Sequence, residues 1–153
     1  YSGGFPRVGE PDVRRATQRA IYHVQVNLEE AQAAYYQNRV LVCDRGTIDS
    51  AIYWPGDPKE FFATVGSSIE QELDRYDAVI FFETAAVGGI SIEGGNPIRI
   101  ESIDEAVALD QRLRTLWSQH PNFVFVPHDR SFVKKVMSGL EALSRIVTEW
   151  QAR

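Results

Sequence analysis

Three short apolar runs, 40–43, 78–82 and 123–126, alternate along this chain with segments of helical periodicity, and that alternation limits the fold more than any other feature. Each run is four or five residues, continuous and bounded by turn or charged residues, as for a strand buried on both faces. Helix-strand alternation of this kind predicts a parallel sheet covered by helices on both sides, an α/β three-layer sandwich. The 153 residues suffice for one domain with a real core, so residues 1–153 are taken as a single domain.

The helices carry recognisable starts. Pro11 suits a first helical position, and Val13, Ala16, Ala20, Ile21, Val24, Leu28, Ala31 and Tyr35 then recur at helical spacing to about Asn38. Asp57-Pro58-Lys59-Glu60 combines a capping acid with proline at N1; Phe61, Phe62, Val65, Ile69 and Leu73 follow, with Gly66 a break point. Ser102-Ile103-Asp104-Glu105 is a capping box opening a helix to about Gln119. An amphipathic helix from Phe132 to Trp150 closes the chain. Between these, residues 83–101 hold Gly88, Gly89, Gly94, Gly95 and Pro97 and predict a lid-like mobile loop.

Composition narrows the partners. A hydrophobic share of 44% against 24% charged residues excludes a disordered chain. A formal charge of −5 argues against a nucleic-acid-coating protein but leaves room for a nucleotide in a local basic pocket. With the one cysteine, Cys43, in an apolar run, a disulfide framework or a cysteine zinc site is excluded, and a cytoplasmic setting is expected. No apolar run is long enough to span a membrane.

Chemistry is expected where Val40-Leu41-Val42-Cys43 runs into Asp44-Arg45-Gly46. Ligands of open α/β sheets bind at the carboxyl ends of strands. There Asp44 serves as a Mg²⁺-side acid or as the base for an attacking hydroxyl, with Arg45 forking a phosphate. The plainer alternative is an Asp cap and a surface ion pair. If 47–54 is helical, Asp49 and Tyr53 share a face and suit a sugar hydroxyl and a base; the plainer alternative is a surface Asp49, with Tyr53 and Trp54 filling the core. Arg99, near the end of the glycine loop, suits a closing loop over a transferring phosphoryl group, and Arg112 follows on the next helix. Arg7, beside Gly3-Gly4, suits an anion nest. Pro127 and His128, after the third strand, either border a base pocket or belong to a helix cap through Asp129. His23, His120 and His128 lack metal-ligand spacing.

Together, Ser-Gly-Gly-Phe-Pro-Arg at 2–7, Gln18-Arg19-Ala20-Ile21 with Gln25, Cys-Asp-Arg-Gly at 43–46 with Asp49 and Tyr53, Tyr76-Asp77-Ala78-Val79-Ile80, and Asn96 to Arg99 with Glu101 resemble one group. It is the P-loop NTPase domain, of AAA type, of the nicotinamide-riboside-kinase-like ATP/GTP-binding proteins. The Asp-Arg-Gly piece is also similar to thymidylate kinases. The resemblance implies a nucleotide-kinase-like fold, ATP or GTP with Mg²⁺, and a small-molecule phosphate acceptor. Asp44 would be the Walker-B-like acid and metal residue, Arg45 its phosphate-side neighbour, Arg99 the lid arginine, and 127–131 would lie near the base. A nucleotide-binding switch module and a non-catalytic interaction scaffold are the alternatives. No nucleic-acid or membrane partner is expected, and a homodimer is compatible with this reading.

One element of that group is absent from these residues. No Gly-Lys pair occurs, and the chain starts at Tyr1. In such a fold the phosphate loop follows a strand lying between 40–43 and 78–82. An upstream strand and phosphate loop are therefore expected to be missing here, and the 153 residues alone are expected not to transfer phosphate efficiently.

Overall fold

The computed structural model describes residues 10–89 and 102–152. It is a mixed α/β structure whose chain divides into two compact units, Tyr1–Arg75 and Tyr76–Arg153.

The first unit is helical. α1, Pro11–Tyr35, begins with proline at its first turn, where the missing N–H costs nothing. It ends at Tyr36, whose N–H bonds the Gln32 carbonyl, just before Asn38 turns to a positive φ of 62°. α2, Asp49–Tyr53, is the short helix foreseen over 47–54. α3, Pro58–Val65, starts on Asp57, whose side chain accepts the Lys59 N–H. It stops at Gly66 in the left-handed region (φ 72°), which glycine enters without Cβ strain. Ser68 then caps α4, Ile69–Leu73. Phe61 is the fully buried centre, with Tyr22, Trp54 and Phe62 each edge-on at a centroid distance of 5.5 Å. Beside it lies Glu72, only 3% exposed. Its carboxylate accepts from the hydroxyls of Tyr22 and Ser67, and Arg75 is 3.8 Å away.

The segment 40–43 is not a strand, contrary to the expectation from its sequence. Among the described residues it has no ladder partner, and Val40, Leu41 and Val42 are 53%, 47% and 69% exposed. A strand is completed by hydrogen bonds to a neighbour, which an apolar run does not supply for itself.

The second unit is a β-α-β arrangement. β1, Val79–Phe82, pairs in parallel with β2, Phe123–Val126, in the register Val79↔Phe123 to Phe82↔Val126. α5, Ile103–Trp117, lies between them in sequence, as a parallel pair requires a long connection. Its start is the foreseen capping box: Ser102 accepts the Glu105 N–H, and Glu105 reaches back to the Ser102 N–H. α6, Phe132–Gln151, is capped by Ser131. It meets β1 closely at Gly139, where an added Cβ would collide with the Phe82 ring. His120, expected to be structural, is buried and bridges the turn before β2. Its Nδ1 accepts the Asn122 N–H at 3.0 Å, so Nε2 carries the proton donated to the Tyr76 carbonyl at 2.7 Å.

The sheet of the described residues thus has two parallel strands rather than the three expected. The region expected as a lid opens with a short 3-10 helix, Ala85–Gly88; the rest of that loop, with Arg99, lies outside the described residues, as does Arg7. No described helix is long and apolar enough to cross a membrane.

Candidate functional site

In the first unit the chain turns between segment 40–43 and α2. Gly46, Thr47 and Ile48 are buried, and the Asp49 N–H bonds the Gly46 carbonyl at 3.1 Å, which winds the backbone into α2. Two arginines of α1 hold the far end of that helix. Arg14 donates to the Tyr53 carbonyl at 3.0 Å, and Arg15 donates to the Pro55 carbonyl while its guanidinium lies 5.9 Å from the Trp54 ring centroid.

Arg45 sits at this turn with φ of 86°, a left-handed conformation that costs an L-residue about 1–2 kcal/mol. Its guanidinium pairs with Asp49 at 3.3 Å, and its carbonyl accepts from Gln25 Nε2 at 2.8 Å. Partial burial works against the charge, but Asp49, Tyr53 and Asp44 more than offset it and leave Arg45 firmly protonated, above its ordinary value. Asp44 is exposed next to it, while the Asp49 side chain is largely covered. Asp44 with Arg45 and Asp49 with Tyr53, two pairs in the sequence, thus gather at one corner. A fixed cation flanked by one exposed and one covered carboxylate suits a ligand with both a phosphate and hydroxyls. Burial, then the nearby Glu29, push the Cys43 thiol above its ordinary range.

The second unit has its own polar cluster, at the carboxyl end of the strand pair. Glu83 follows β1 directly. Its carboxylate accepts the His128 N–H at 2.8 Å and lies 3.9 Å from Arg114, and its carbonyl accepts from Lys135. The Arg114 guanidinium stacks 3.7 Å from the Phe125 ring centroid. Asp110 accepts the Thr84 N–H at 2.9 Å; burial raises its pKa despite that bond. Pro127 is exposed at the end of β2. The His128 ring nitrogens are buried with no hydrogen-bond partner among the described residues, against Gly88, where a Cβ would collide with the imidazole. Asp129 accepts the Ser131 N–H, so the segment also serves the cap of α6. Arg112 is exposed on α5, roughly 200° round the helix from Arg114.

Sequence reasoning left Glu83 out of the site, although the logic that chose Asp44 applies to it: an acid directly after an apolar run. In the sequence Gln25 is part of the family pattern and, with Gln18, Glu29 and Gln32, of the polar side of the first predicted helix. Nothing local to Gln25 signals its bond to a carbonyl twenty residues away.

Among the described residues no group of three or more His, Cys, Asp or Glu side chains is placed to hold a metal ion. A dedicated protein cage is therefore not present there. Mg²⁺ does not need one: it favours one or two carboxylates completed by waters and substrate phosphates. Asp44, exposed beside Arg45, fits that pattern.

A family model described as an AAA domain matches residues 4–132. No curated protein matches the chain, and no solved structure does.

Proposed function

The chain belongs to the AAA domain family, a nucleotide-binding P-loop type, and on that premise we propose that the protein is a nucleotide-dependent small-molecule kinase of nicotinamide-riboside-kinase-like type. The reaction is transfer of the terminal phosphoryl group of ATP or GTP to a hydroxyl of a nucleoside-like acceptor.

The observation that carries this reading is the Arg45 corner: a cation held in an unusual backbone conformation, paired with Asp49 and adjoining Asp44. Catalysis of phosphoryl transfer is mainly positioning and charge stabilisation, and this corner supplies both. Arg45 holds an anionic oxygen. Asp49 and Tyr53 bind the acceptor's sugar and base. Asp44 accepts the proton of the attacking hydroxyl or, through water, holds Mg²⁺, which when bound neutralises charge on the phosphates. Arg7 and Arg99 are assigned to the phosphates, and Arg112, Pro127 and His128 to the nucleotide.

The test is a turnover screen with the protein expressed from its complete reading frame, supplied with Mg²⁺, ATP or GTP and a panel of nucleosides. The expected result is a phosphorylated nucleoside, formed at least about a hundredfold more slowly by Asp44→Ala. No product with any acceptor, or an Asp44→Ala rate equal to wild type, contradicts the reading. Nucleotide binding with negligible turnover in both proteins favours a regulatory switch instead.

A further inference from the structure

Gln25 lies on α1, at a half-buried position. Its Nε2 donates to two groups, the Arg45 carbonyl at 2.8 Å and Glu29 Oε1 at 2.9 Å. Both partners are acceptors, so the NH₂ end of the amide faces them and both of its protons are engaged. The other Glu29 oxygen faces Arg75 at 3.7 Å, and Arg75 also faces Glu72, the buried carboxylate that accepts from Tyr22. A continuous polar chain therefore runs from the strained Arg45 peptide, through Gln25, into the centre of this unit.

We propose that Gln25 is a positioning residue: its bridging amide holds the Arg45 peptide in the left-handed conformation and thereby keeps the guanidinium beside Asp49, set for a phosphate. A residue in this backbone region persists only where its surroundings over-determine it. The free-energy cost of the conformation and the net worth of a hydrogen bond are of similar size, so one bond decides the balance. The importance of the guanidinium for function rests on the kinase reading above; the hold on the Arg45 backbone does not.

The experiment compares Gln25→Met with Gln25→Lys by NMR of isotopically labelled protein. Methionine matches the length and apolar body of glutamine and is a good helix former, so the helix is kept while the donors are lost. Lysine restores donors to the same carbonyl and carboxylate. Two readouts are taken: the Arg45 and Gly46 backbone shifts, and the affinity of inorganic phosphate followed at Arg45 Nε. In Gln25→Met, Arg45 is expected to leave the left-handed region and phosphate binding to weaken about tenfold. Gln25→Lys is expected to keep both close to wild type. Unchanged Arg45 backbone shifts in Gln25→Met overturn the proposal. So does equal disturbance by both variants, which would make Gln25 a packing residue. If wild-type Arg45 binds no phosphate, the anion-binding reading fails, and the backbone shifts alone still decide the role of Gln25.

Discussion

Val40-Leu41-Val42-Cys43 and Val79-Ile80-Phe81-Phe82 look alike in sequence: four largely apolar residues, then an acid. In the structure the second run pairs residue for residue with β2 and meets Gly139 of α6. The first has no ladder among the described residues, and its three aliphatic side chains are about half exposed or more. The difference lies in the partner, since a run's composition gives it the capacity to be a strand while another segment must complete its hydrogen bonds. The acids that follow differ accordingly. Glu83 is tied into the strand pair by His128, Lys135 and Arg114, whereas Asp44 stays exposed at a backbone turn beside Arg45.

The largest expected effect sharpens this contrast. Gly139→Val drives a side chain into the Phe82 ring and is expected to cost roughly 3 kcal/mol in denaturant unfolding. Val42→Ala is expected to change stability by less than about 0.5 kcal/mol. Comparable losses from the two would break the comparison and show that 40–43 is packed.

Alkaline titration separates the two units next. Burial first, and then its bond to Glu72, push the Tyr22 phenol up from 10.0 to about 12. The folded chain therefore keeps the proton where the unfolded chain has lost it. The first unit's stability is full below pH 10 and falls as pH rises from about 10 to about 12, by on the order of 2 kcal/mol. Tyr22→Phe is expected to remove this step. A step that survives the substitution assigns it to another group.

A smaller effect is expected at the start of α5. Ser102→Ala removes the cap and is expected to cost about 1 kcal/mol. Bonds from the Ser102 N–H and side chain hold the Glu105 carboxyl below its ordinary pKa. That contribution is present above the ordinary carboxylate range and is lost as pH falls through the depressed value. Acid titration of Ser102→Ala should show a weaker loss of stability than wild type.

The smallest effect reverses the usual direction. Arg45→Gly relieves the left-handed strain, offset by the greater freedom of glycine in the unfolded chain, and is expected to raise stability by about 0.5 kcal/mol. A clear loss of stability would show that Arg45 supports the fold rather than a ligand.

Much of the helical framework was legible because its signals are local. Pro11, Asp57-Pro58, Gly66 and the Ser102–Glu105 box each act within one turn, and each sits at a helix boundary. The two strands of the parallel pair were legible as apolar runs, and so was the shared face of Asp49 and Tyr53, four residues apart. What was not legible depends on distance along the chain. Whether 40–43 pairs, which it does not among the described residues, the left-handed turn at Arg45 and the hold on it from Gln25 are set by tertiary contacts, with no signature in the neighbouring residues. Glu83 carries the same local signal as Asp44, an acid directly after an apolar run.

The most direct measurement is the acceptor dependence of ATP- or GTP-driven turnover in Arg45→Ala, with the fold verified by its unfolding curve. The expected result is a loss of about a hundredfold in kcat/KM for the acceptor. An Arg45→Ala enzyme as active as wild type would contradict the placement of phosphoryl transfer at this corner.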